Sequence, residues 1–293
     1  MREIEVIVVD NASQDESLVA AKAKPWVRVI RNTKNMGFAA GQNLGIRIAR
    51  SKYVMPLNFD IYLMPDFLSQ AVAALDRYPQ VGTVSGKMLR MQSNGERTNE
   101  IDNAGLLLTR RRMIHHRGRG EQDYGQYQQR DLVFGAMGAA AIFRHEMLED
   151  IAYKGQYFDE SFFTWYEDVD LDWRARLKGW ECLYVPEAVV YHVGDPQGHG
   201  RSKFGAENGI RNRWKMILAN DCRHCLAKDI VPLLAEELAL LRHVVRHGLI
   251  GAYFRALKSL LFSLPDTLEK RRWVRGRAVR TCLPSYPFPI GEG

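Results

Sequence analysis

Two hydrophobic patterns alternate over the first hundred residues: short apolar runs, and longer stretches with apolar residues at helical spacing. Nearly continuous β-branched runs are typical of buried parallel strands, and recurrence every three or four positions is typical of helices that cover a sheet. The pattern predicts strands over 4–10, 26–30, 53–57 and 81–85, and helices over 15–23, 37–49 and 65–78.

The pattern weakens between residues 87 and 131, where Gly, Arg and Gln are frequent, and it predicts irregular, partly mobile chain there. The regular hydrophobic pattern resumes in the second half of the chain. From residue 203 onward the pattern is helical, and it ends in a basic cluster over 270–275 and a Pro-rich tail. Between these regions the pattern predicts strands over 139–143, 180–186 and 188–192, and helices over 144–150 and 168–178.

This strand–helix rhythm predicts an α/β fold, a Rossmann-like and mostly parallel sheet flanked by helices. Ligands of such sheets bind at the carboxyl ends of the strands. Polar residues follow two of the predicted strands, Asp10 with Asn11 and Asn58 with Asp60. We therefore expect the binding site at this edge.

Length and composition narrow the class of protein. A chain of 293 residues can form one large domain with an appendage, and 46% hydrophobic with 26% charged residues excludes collagen-like and disordered chains. The charged opening is unlike a signal peptide, and no apolar run reaches the ~18 residues of a membrane span. Four unevenly spaced cysteines do not form a disulfide framework. These features predict a cytoplasmic protein.

Charge divides the chain in two. Residues 201–293 carry 17 Lys/Arg against 8 Asp/Glu, whereas the first 200 residues carry 24 against 26. We therefore predict a near-neutral domain over 1–220 and a basic helical extension over 221–293. This extension contains apolar residues at helical spacing together with basic residues. It either packs on the domain or attaches peripherally to the anionic inner face of the plasma membrane. No basic platform interleaved with aromatic residues accompanies the charge, so nucleic acid is not a predicted partner. The residues concerned are Leu233, Leu234, Leu238, Leu241, Val244, Val245, Arg242, Arg246, Arg255 and Lys258.

Four local patterns carry candidate chemistry, each with a structural alternative. Asp10 at a strand end can accept hydrogen bonds from a nucleotide base, or it can cap a helix. The segment from Asn35 to Gly45 begins a helix with small residues, which suits either an anion or close packing; Asn43 is expected to face the ligand. Asp60 can hold Mg²⁺ or Mn²⁺, or it can serve a turn.

The fourth pattern is Glu167-Asp168-Val169-Asp170, preceded by four aromatic residues. Carboxylates among apolar rings have raised pKa values, which suits a general base, whereas an acidic helix start is the alternative. His192 closes a strand and is a candidate metal ligand or a structural histidine. Cys222-Arg223-His224-Cys225 lacks a second ligand pair at the spacing of a zinc site, so zinc is disfavoured.

Taken together and in this order, these motifs over residues 3–220 resemble the family-2 glycosyltransferases, in particular their bacterial rhamnosyltransferase-like branch. The motifs that carry the resemblance are Val8-Val9-Asp10-Asn11-Ala12-Ser13, Asn35-Met36-Gly37-Phe38-Ala39-Ala40-Gly41-Gln42-Asn43, Leu57-Asn58-Phe59-Asp60, Phe158-Asp159-Glu160, Tyr166-Glu167-Asp168-Val169-Asp170-Leu171, Gly179, Tyr184-Val185-Pro186, Tyr191-His192 and Arg211-Asn212.

The resemblance implies a GT-A fold and an inverting transfer from a nucleoside-diphosphate sugar to a glycan or lipid-linked acceptor, in cell-envelope polysaccharide synthesis. It implies that Asp168 is the catalytic base. It implies a divalent cation, Mg²⁺ or Mn²⁺, on Asp60 and His192, and dTDP-rhamnose or a UDP-sugar as donor. The implied donor-binding residues are Asp10, Asn11, Asn35, Gly37, Asn43, Asn58 and Glu167.

The chain departs from the family pattern at two places. Asn58 and Phe59 stand where an acid and a proline are usual, and the chain opens directly at the family's second strand. The second departure motivates an alternative hypothesis, a non-catalytic scaffold or sugar-binding relative. A nucleotidyltransferase would need a basic Gly-rich loop at the start of the sequence, which is not found there.

Overall fold

The computed structural model describes residues 4–194 and 202–283; the predicted Pro-rich tail lies outside these residues. Eleven strands are found within these ranges: β1 Val6–Asp10, β2 Val27–Arg31, β3 Tyr53–Val54, β4 Ile61–Leu63, β5 Val81–Met91, β6 Arg97–Asn103, β7 Leu106–Leu108, β8 Ile114–His116, β9 Asp131–Val133, β10 Ile142–Arg144 and β11 Glu181–His192.

Nine α-helices accompany the strands in the same ranges, with one 3-10 turn over Glu160–Phe162. The helices are α1 Ser17–Lys22, α2 Gly37–Ile48, α3 Phe67–Arg77, α4 His145–Ile151, α5 Glu167–Lys178, α6 Lys203–Asn220, α7 Arg223–Lys228, α8 Ile230–Arg246 and α9 Ile250–Arg277. No helix of the described chain is both long enough and apolar enough to cross a membrane.

The strands form a central mixed sheet and two small separate sheets. The central sheet has the order β3-β10-β5-β11-β4, with β6 beside β5 and β9 beside β11. Only β5 and β11 pair in parallel there; the other pairs in this sheet are antiparallel. The expected α/β class is confirmed, but the prediction of a mostly parallel sheet is wrong, because several short strands return as antiparallel neighbours without a crossover helix.

The first two strands stand apart from the central sheet. β1 pairs in parallel with β2, and its other edge has no strand partner within 4–194 and 202–283. That edge faces an open groove of about 1510 Å³, lined by parts of β1, β3, α2 and α3. Helix α2 lies over β1, where the side chain of Val9 lies against the backbone of Gly45.

The segment between residues 87 and 131 is ordered, so the prediction of irregular and mobile chain is wrong. It contains the end of β5, all of β6, β7 and β8, and the start of β9. Several of its apolar residues are buried in the core, among them Ile101 and Leu106. The frequent arginines make ion pairs, for example Arg117 with Asp131 at 2.7 Å and Arg112 with Asp221 at 2.7 Å. A hydrophobic pattern does not detect strands held by such pairs.

The C-terminal helices pack against the rest of the chain. Leu233 of α8 and Val274 of α9 are buried in one cluster with Phe134 and Trp173. Lys270 of α9 is buried as well, and its ammonium group lies 2.8 Å from both carboxylate oxygens of Asp170 and 2.6 Å from Asp159. This ion pair joins α9 to the first turn of α5. The contact therefore connects the predicted extension, residues 221–293, with the predicted domain, residues 1–220.

Replacing Lys270 with Met should cost about 3–5 kcal/mol of unfolding free energy, because two carboxylates would lose a cation that they share in a buried environment, although Asp170 keeps a second one, Arg174. Arg272→Met, which removes an exposed cation from the same helix, is the matched control and should change stability by less than about 0.5 kcal/mol. Urea unfolding of both variants measures the difference; equal stability of the two would contradict a structural role for the pair.

Candidate functional site

Asp10 ends β1 with one carboxylate oxygen engaged. Its Oδ1 accepts the backbone N–H of Ser13 at 2.9 Å, and Oδ2 lies 3.6 Å from the guanidinium of Arg31. The hydrogen bonds from Ser13, helped by the charge of Arg31, hold the pKa of Asp10 below its usual value. Oδ2 is buried and makes no hydrogen bond within the described chain. Asp10 therefore caps no helix of the described chain, since α1 begins at Ser17 after Glu16; one oxygen holds a turn with Ser13, and the other is left as an acceptor.

Asn11 links the end of β1 to the start of α2. Its amide donates to the carbonyl oxygen of Gly37 at 3.0 Å and accepts from Asn32 at 2.8 Å. The preceding loop and the helix start are thus fixed relative to each other, which keeps Asp10 at the opening of α2.

The start of α2 is not the anion site that its small residues indicated. The N–H of Gly37 donates to Asn35 Oδ1 at 2.9 Å, and the N–H of Ala39 donates to the carbonyl of Phe163 at 3.3 Å. Gly37 has φ of +84°, and a Cβ there would lie 2.6 Å from Phe163. The packing alternative is therefore correct at this position: Gly37 and Asn35 serve contacts within the protein.

Asn43 is also directed into the protein, so the expectation that it faces a ligand is wrong. It is fully buried. Its amide group donates to the carbonyl of Phe158 at 2.7 Å and to Glu160 at 3.0 Å, and its oxygen accepts the N–H of Phe158 at 2.9 Å. Asn43 holds the segment that precedes Asp168.

Asp60 and His192 meet because of strand register. His192 is the last residue of β11 and lies opposite Ile61, the first residue of β4. The N–H of Val193 donates to the carbonyl of Asp60 at 3.1 Å. The Asp60 carboxylate consequently lies 3.2 Å from His192 Nε2. The antiparallel pairing of two strand ends thus places these two side chains together.

The other ring nitrogen of His192 contacts Asp102 of β6, at 2.7 Å from Nδ1 to the carboxylate. Arg90 and Arg119 lie 3.4 and 3.5 Å from the second oxygen of Asp102. Sequence analysis missed Asp102, because it lies in the segment interpreted as irregular. Its strand, Arg97–Asn103, contains Ile101 as its single apolar residue, so no hydrophobic pattern marks it.

Asp60, His192 and Asp102 form a triad in which each ionised group stabilises the charge of its neighbour. Burial alone would lower the pKa of His192, but the hydrogen bonds and charges of Asp102 and Asp60 outweigh it and raise the pKa to about 9. Burial pushes the pKa of Asp60 upward, and the hydrogen bond and charge of His192 bring it below its usual value. The metal-free triad therefore holds a protonated histidine between two carboxylates.

The residues of the triad fit a divalent cation. Asp60 Oδ1 is buried without a hydrogen-bond partner among the described residues, and it lies on the same carboxylate that approaches His192 Nε2. A carboxylate behind the second nitrogen of a histidine fixes its orientation for metal binding, as Asp102 does here. Carboxylate and imidazole together suit Mn²⁺ and related ions.

Asp168 lies in the first turn of α5. Its Oδ2 accepts the N–H of Gly138 at 2.9 Å, and its Oδ1 accepts the N–H of Val169 at 2.8 Å. Burial raises the pKa of Asp168, although these hydrogen bonds act against the increase. Burial and the charge of Asp168 also raise the pKa of its neighbour Glu167, whose Oε2 is buried without a partner in the described chain.

The loop before Asp168 is strained, and the side-chain amide of Asn212 binds several of its carbonyls. Phe163, Trp165 and Tyr166 all have φ near +70°, a region that side chains other than glycine rarely occupy. Asn212 of α6 donates to the carbonyls of Phe162, Thr164 and Trp165, each at 2.9 Å. Backbone strain of this kind persists where surrounding contacts determine it, and it is often found at functional sites.

Short contacts connect the two halves of the site. Gly138 binds Asp168, and the carbonyl of the next residue, Ala139, accepts the N–H of Asn58 at 3.0 Å. On the other side, Gly37 lies against Phe163 of the strained loop. These contacts link segments of the four patterns: Asn11 is bonded to Gly37, Gly37 packs on the loop before Asp168, and residues 138–139 bond to both Asp168 and Asn58.

Comparison with known proteins agrees with this geometry. The family model described as glycosyl transferase family 2 matches residues 1–152, half of the chain, and the chain belongs to this family. Probable glucomannan 4-beta-mannosyltransferase 3 of Oryza sativa subsp. japonica is 30% identical over 200 residues, which cover 63% of this chain and 33% of the relative. The chain spans a third or less of the first curated relatives that it matches.

Two solved structures share the fold. GalNAc-T7 with UDP, GalNAc and Mn²⁺ has a TM-score of 0.56 and 14% identity, and the match covers 73% of this chain and 41% of that one. The mannosyltransferase PcManGT from Pyrobaculum calidifontis, in complex with GDP-Man and Mn²⁺, has a TM-score of 0.51 and 17% identity, with coverage of 94% and 77%. The predicted family and the GT-A fold are confirmed.

The triad predicts a pH dependence of stability in chelator-treated protein. Because the folded pKa of His192, about 9, exceeds its ordinary value of 6.5, its stabilisation is complete below pH 6.5 and is lost as the pH rises through 9. Urea midpoints should therefore fall between pH 6.5 and 9 in the wild type, and less in Asp102→Asn. His247→Gln, which alters an exposed histidine, should leave the profile unchanged. A wild-type profile that stays flat over this range would contradict the prediction.

Proposed function

We propose that the chain transfers a sugar from a nucleoside-diphosphate donor to a hydroxyl group of a glycan or lipid-linked acceptor, with inversion at the anomeric carbon, in cell-envelope polysaccharide synthesis. Membership of family 2 and the polysaccharide named for the rice relative support the reaction class. The single observation that carries the mechanism is the Asp168 carboxylate, fixed by two backbone N–H groups and raised in pKa, after a strained loop.

In this mechanism Asp168 removes the proton from the acceptor hydroxyl while the oxygen of that hydroxyl attacks the anomeric carbon. The bond between that carbon and the diphosphate breaks, and the nucleoside diphosphate leaves with the electron pair. Burial raises the pKa of Asp168, and a base transfers protons more effectively as its pKa moves toward the working pH. Hydrogen bonds from Gly138 and Val169 orient the carboxylate, and Asn212 orients the loop that carries it.

The donor side of the proposal rests on Asp60, His192 and Asp10. Asp60 and His192 would hold Mg²⁺ or Mn²⁺, which offsets negative charge on the leaving diphosphate. The buried, unpartnered oxygen of Asp60 supports this assignment, and so does the Mn²⁺ named for both solved neighbours. Asp10 Oδ2 makes no hydrogen bond within the described chain and would accept one from the nucleotide base, and Asn58 and Glu167 are the other donor contacts of this proposal.

The donor to test first is dTDP-rhamnose, on the motif resemblance described above. UDP- and GDP-linked sugars are the alternatives, since UDP and GDP-Man are the nucleotides named for the two solved neighbours. A non-catalytic scaffold is the alternative function, and it is distinguished by the same experiment.

Asp168→Asn should lower sugar transfer, or donor hydrolysis without acceptor, by about 10²–10⁴-fold, because the amide cannot accept the proton. Donor binding with Mn²⁺, measured by calorimetry, should persist in this variant. Asp60→Asn should instead weaken Mn²⁺-dependent donor binding. Asp15→Asn, an exposed carboxylate of the same half of the chain, is the control and should retain both properties.

Wild-type protein that binds a nucleotide sugar yet neither transfers nor hydrolyses it would favour the scaffold over the enzyme. Full activity in Asp168→Asn would remove this residue as the base. Equal Mn²⁺ dependence in the wild type and in Asp60→Asn would remove the assigned metal ligand.

We also propose that α8 attaches the protein to an anionic membrane surface. Leu233 and Val244 are buried, but five apolar residues repeat along an exposed face of α8 at intervals of three and four. Exposed Arg242 and Arg246 lie on the same helix. An apolar face with basic residues is typical of helices that lie in a membrane interface. The exposed apolar residues are Val231, Leu234, Leu238, Leu241 and Val245.

The double variant Leu234→Glu/Leu238→Glu should reduce binding to vesicles of phosphatidylcholine with phosphatidylglycerol by at least about tenfold, since burying one leucine contributes about 1.5–3 kcal/mol. Co-sedimentation measures it. Val19→Glu, at an exposed position of α1, is the control. Raised salt should weaken wild-type binding, and pure phosphatidylcholine should bind less. Equal sedimentation of wild type and double variant would contradict the proposal.

A further inference from the structure

Three of the four cysteines meet at the corner between α6 and α7. None of them belongs to the site described above. Cys222, Cys225 and Cys282 are free thiols, and their sulfur atoms all lie within 4.8 Å of one another. Cys222 is buried, and the other two are half-buried. The fourth cysteine, Cys182, is buried elsewhere, in the core beneath the central sheet.

The first two thiols are brought together by a helix start. Cys222 precedes the first residue of α7, and its Sγ accepts the backbone N–H of Cys225 at 2.9 Å. Residues three apart lie on the same side of a helical turn. A backbone N–H aimed at sulfur also stabilises the thiolate form, because it donates to the charged atom.

The third thiol arrives through an anchored segment after α9. The N–H groups of Val279 and Arg280 both donate to the carbonyl of Leu177, at 2.8 and 2.9 Å. Arg275 donates to the carbonyl of Thr281 at 2.5 Å and approaches that of Asn220 at 3.5 Å. It therefore joins the residue before Cys282 to the end of α6. Contacts outside the cluster thus hold Cys282 near Cys222, so the position of Cys282 does not depend on the cysteines alone.

We propose that Cys222, Cys225 and Cys282 bind one Zn²⁺ ion, with a water molecule as the fourth ligand. Zn–S bonds of about 2.3 Å in a tetrahedron separate sulfur atoms by about 3.8 Å, which lies within the spacing of this cluster. Each thiol releases its proton to solvent when its bond to zinc forms. Three thiolates with Zn²⁺ carry one net negative charge, and the guanidinium groups of Arg271 and Arg275 lie beside the same end of α6.

Zinc at this place connects the last described segment to the corner after α6. The segment continues α9, whose Lys270 binds Asp170 and Asp159, and Asp170 is two residues from Asp168. The ion would fix α9 in place without touching the reacting groups. Its loss should therefore act first on stability, and the proposal stands independently of the proposed activity.

The test measures zinc in the full chain, purified with reductant and without chelator. Mass spectrometry of the elements should find about one zinc per chain in the wild type and in Cys182→Ala, and a loss in Cys282→Ser. Cys282→His, which restores a zinc ligand, should recover it. Replacing zinc with Co²⁺ should give near-ultraviolet thiolate-to-metal absorption that weakens in Cys282→Ser. Zinc should raise the melting temperature of the wild type and should not raise that of Cys282→Ser.

Stoichiometric zinc in Cys282→Ser would overturn the proposal, as would wild-type protein that holds no zinc after dialysis against Zn²⁺. A disulfide in place of the metal site would also overturn it. Such wild-type protein would contain no zinc, would have a mass two hydrogens below that of its sequence, and would have two fewer reactive thiols. Cys282 lies after the last helix, so its serine variant is expected to fold, and circular dichroism checks this. Neither the zinc count nor the cobalt spectrum depends on sugar transfer.

Discussion

The parallel pairing of β5 with β11 is the constraint on which the rest of the site depends. β11 is one of the two longest strands, and it carries β4 and β9 on its edges as well as β5. The break in its register against β5, between Val185 and Val189, lies between the part of β11 that pairs with β9 and the part that pairs with β4, where His192 lies opposite Ile61. The preceding helix α5 has Asp168 in its first turn. One strand therefore determines where both the proposed metal ligand and the proposed base can lie.

Around this pairing, buried charge is used as much as apolar contact. Asp170 is bound by Lys270 and by Arg174, and His192 lies between two carboxylates. Removing one partner of such a group is costly because the other charge stays buried. The same property makes these groups useful, since a carboxylate without a full set of partners, such as Asp60 or Glu167, can accept a ligand.

Sequence patterns predicted the elements that are held by apolar burial. Helix α2 and helix α5 were expected within a residue or two of their bounds, and the ends of β1 and β11 placed Asp10 and His192 at strand ends. Patterns did not predict β6 or the role of Asp102, because that strand is rich in polar residues that pair with charges distant in the sequence. Asn43 and Gly37 were assigned to a ligand, since local sequence does not reveal that Phe158 and Phe163 return to meet them.

The ion pair between Lys270 and Asp170 joins residues 100 positions apart, and this separation bears on how the protein is made. A chain is synthesised from its N-terminus at about 5–20 residues per second, so Asp170 leaves the ribosome on the order of 5–20 s before its cation. During that interval the start of α5 has a buried carboxylate without its lysine. The first turn of α5, which carries Asp168, should therefore reach its native arrangement only after Lys270 has been synthesised.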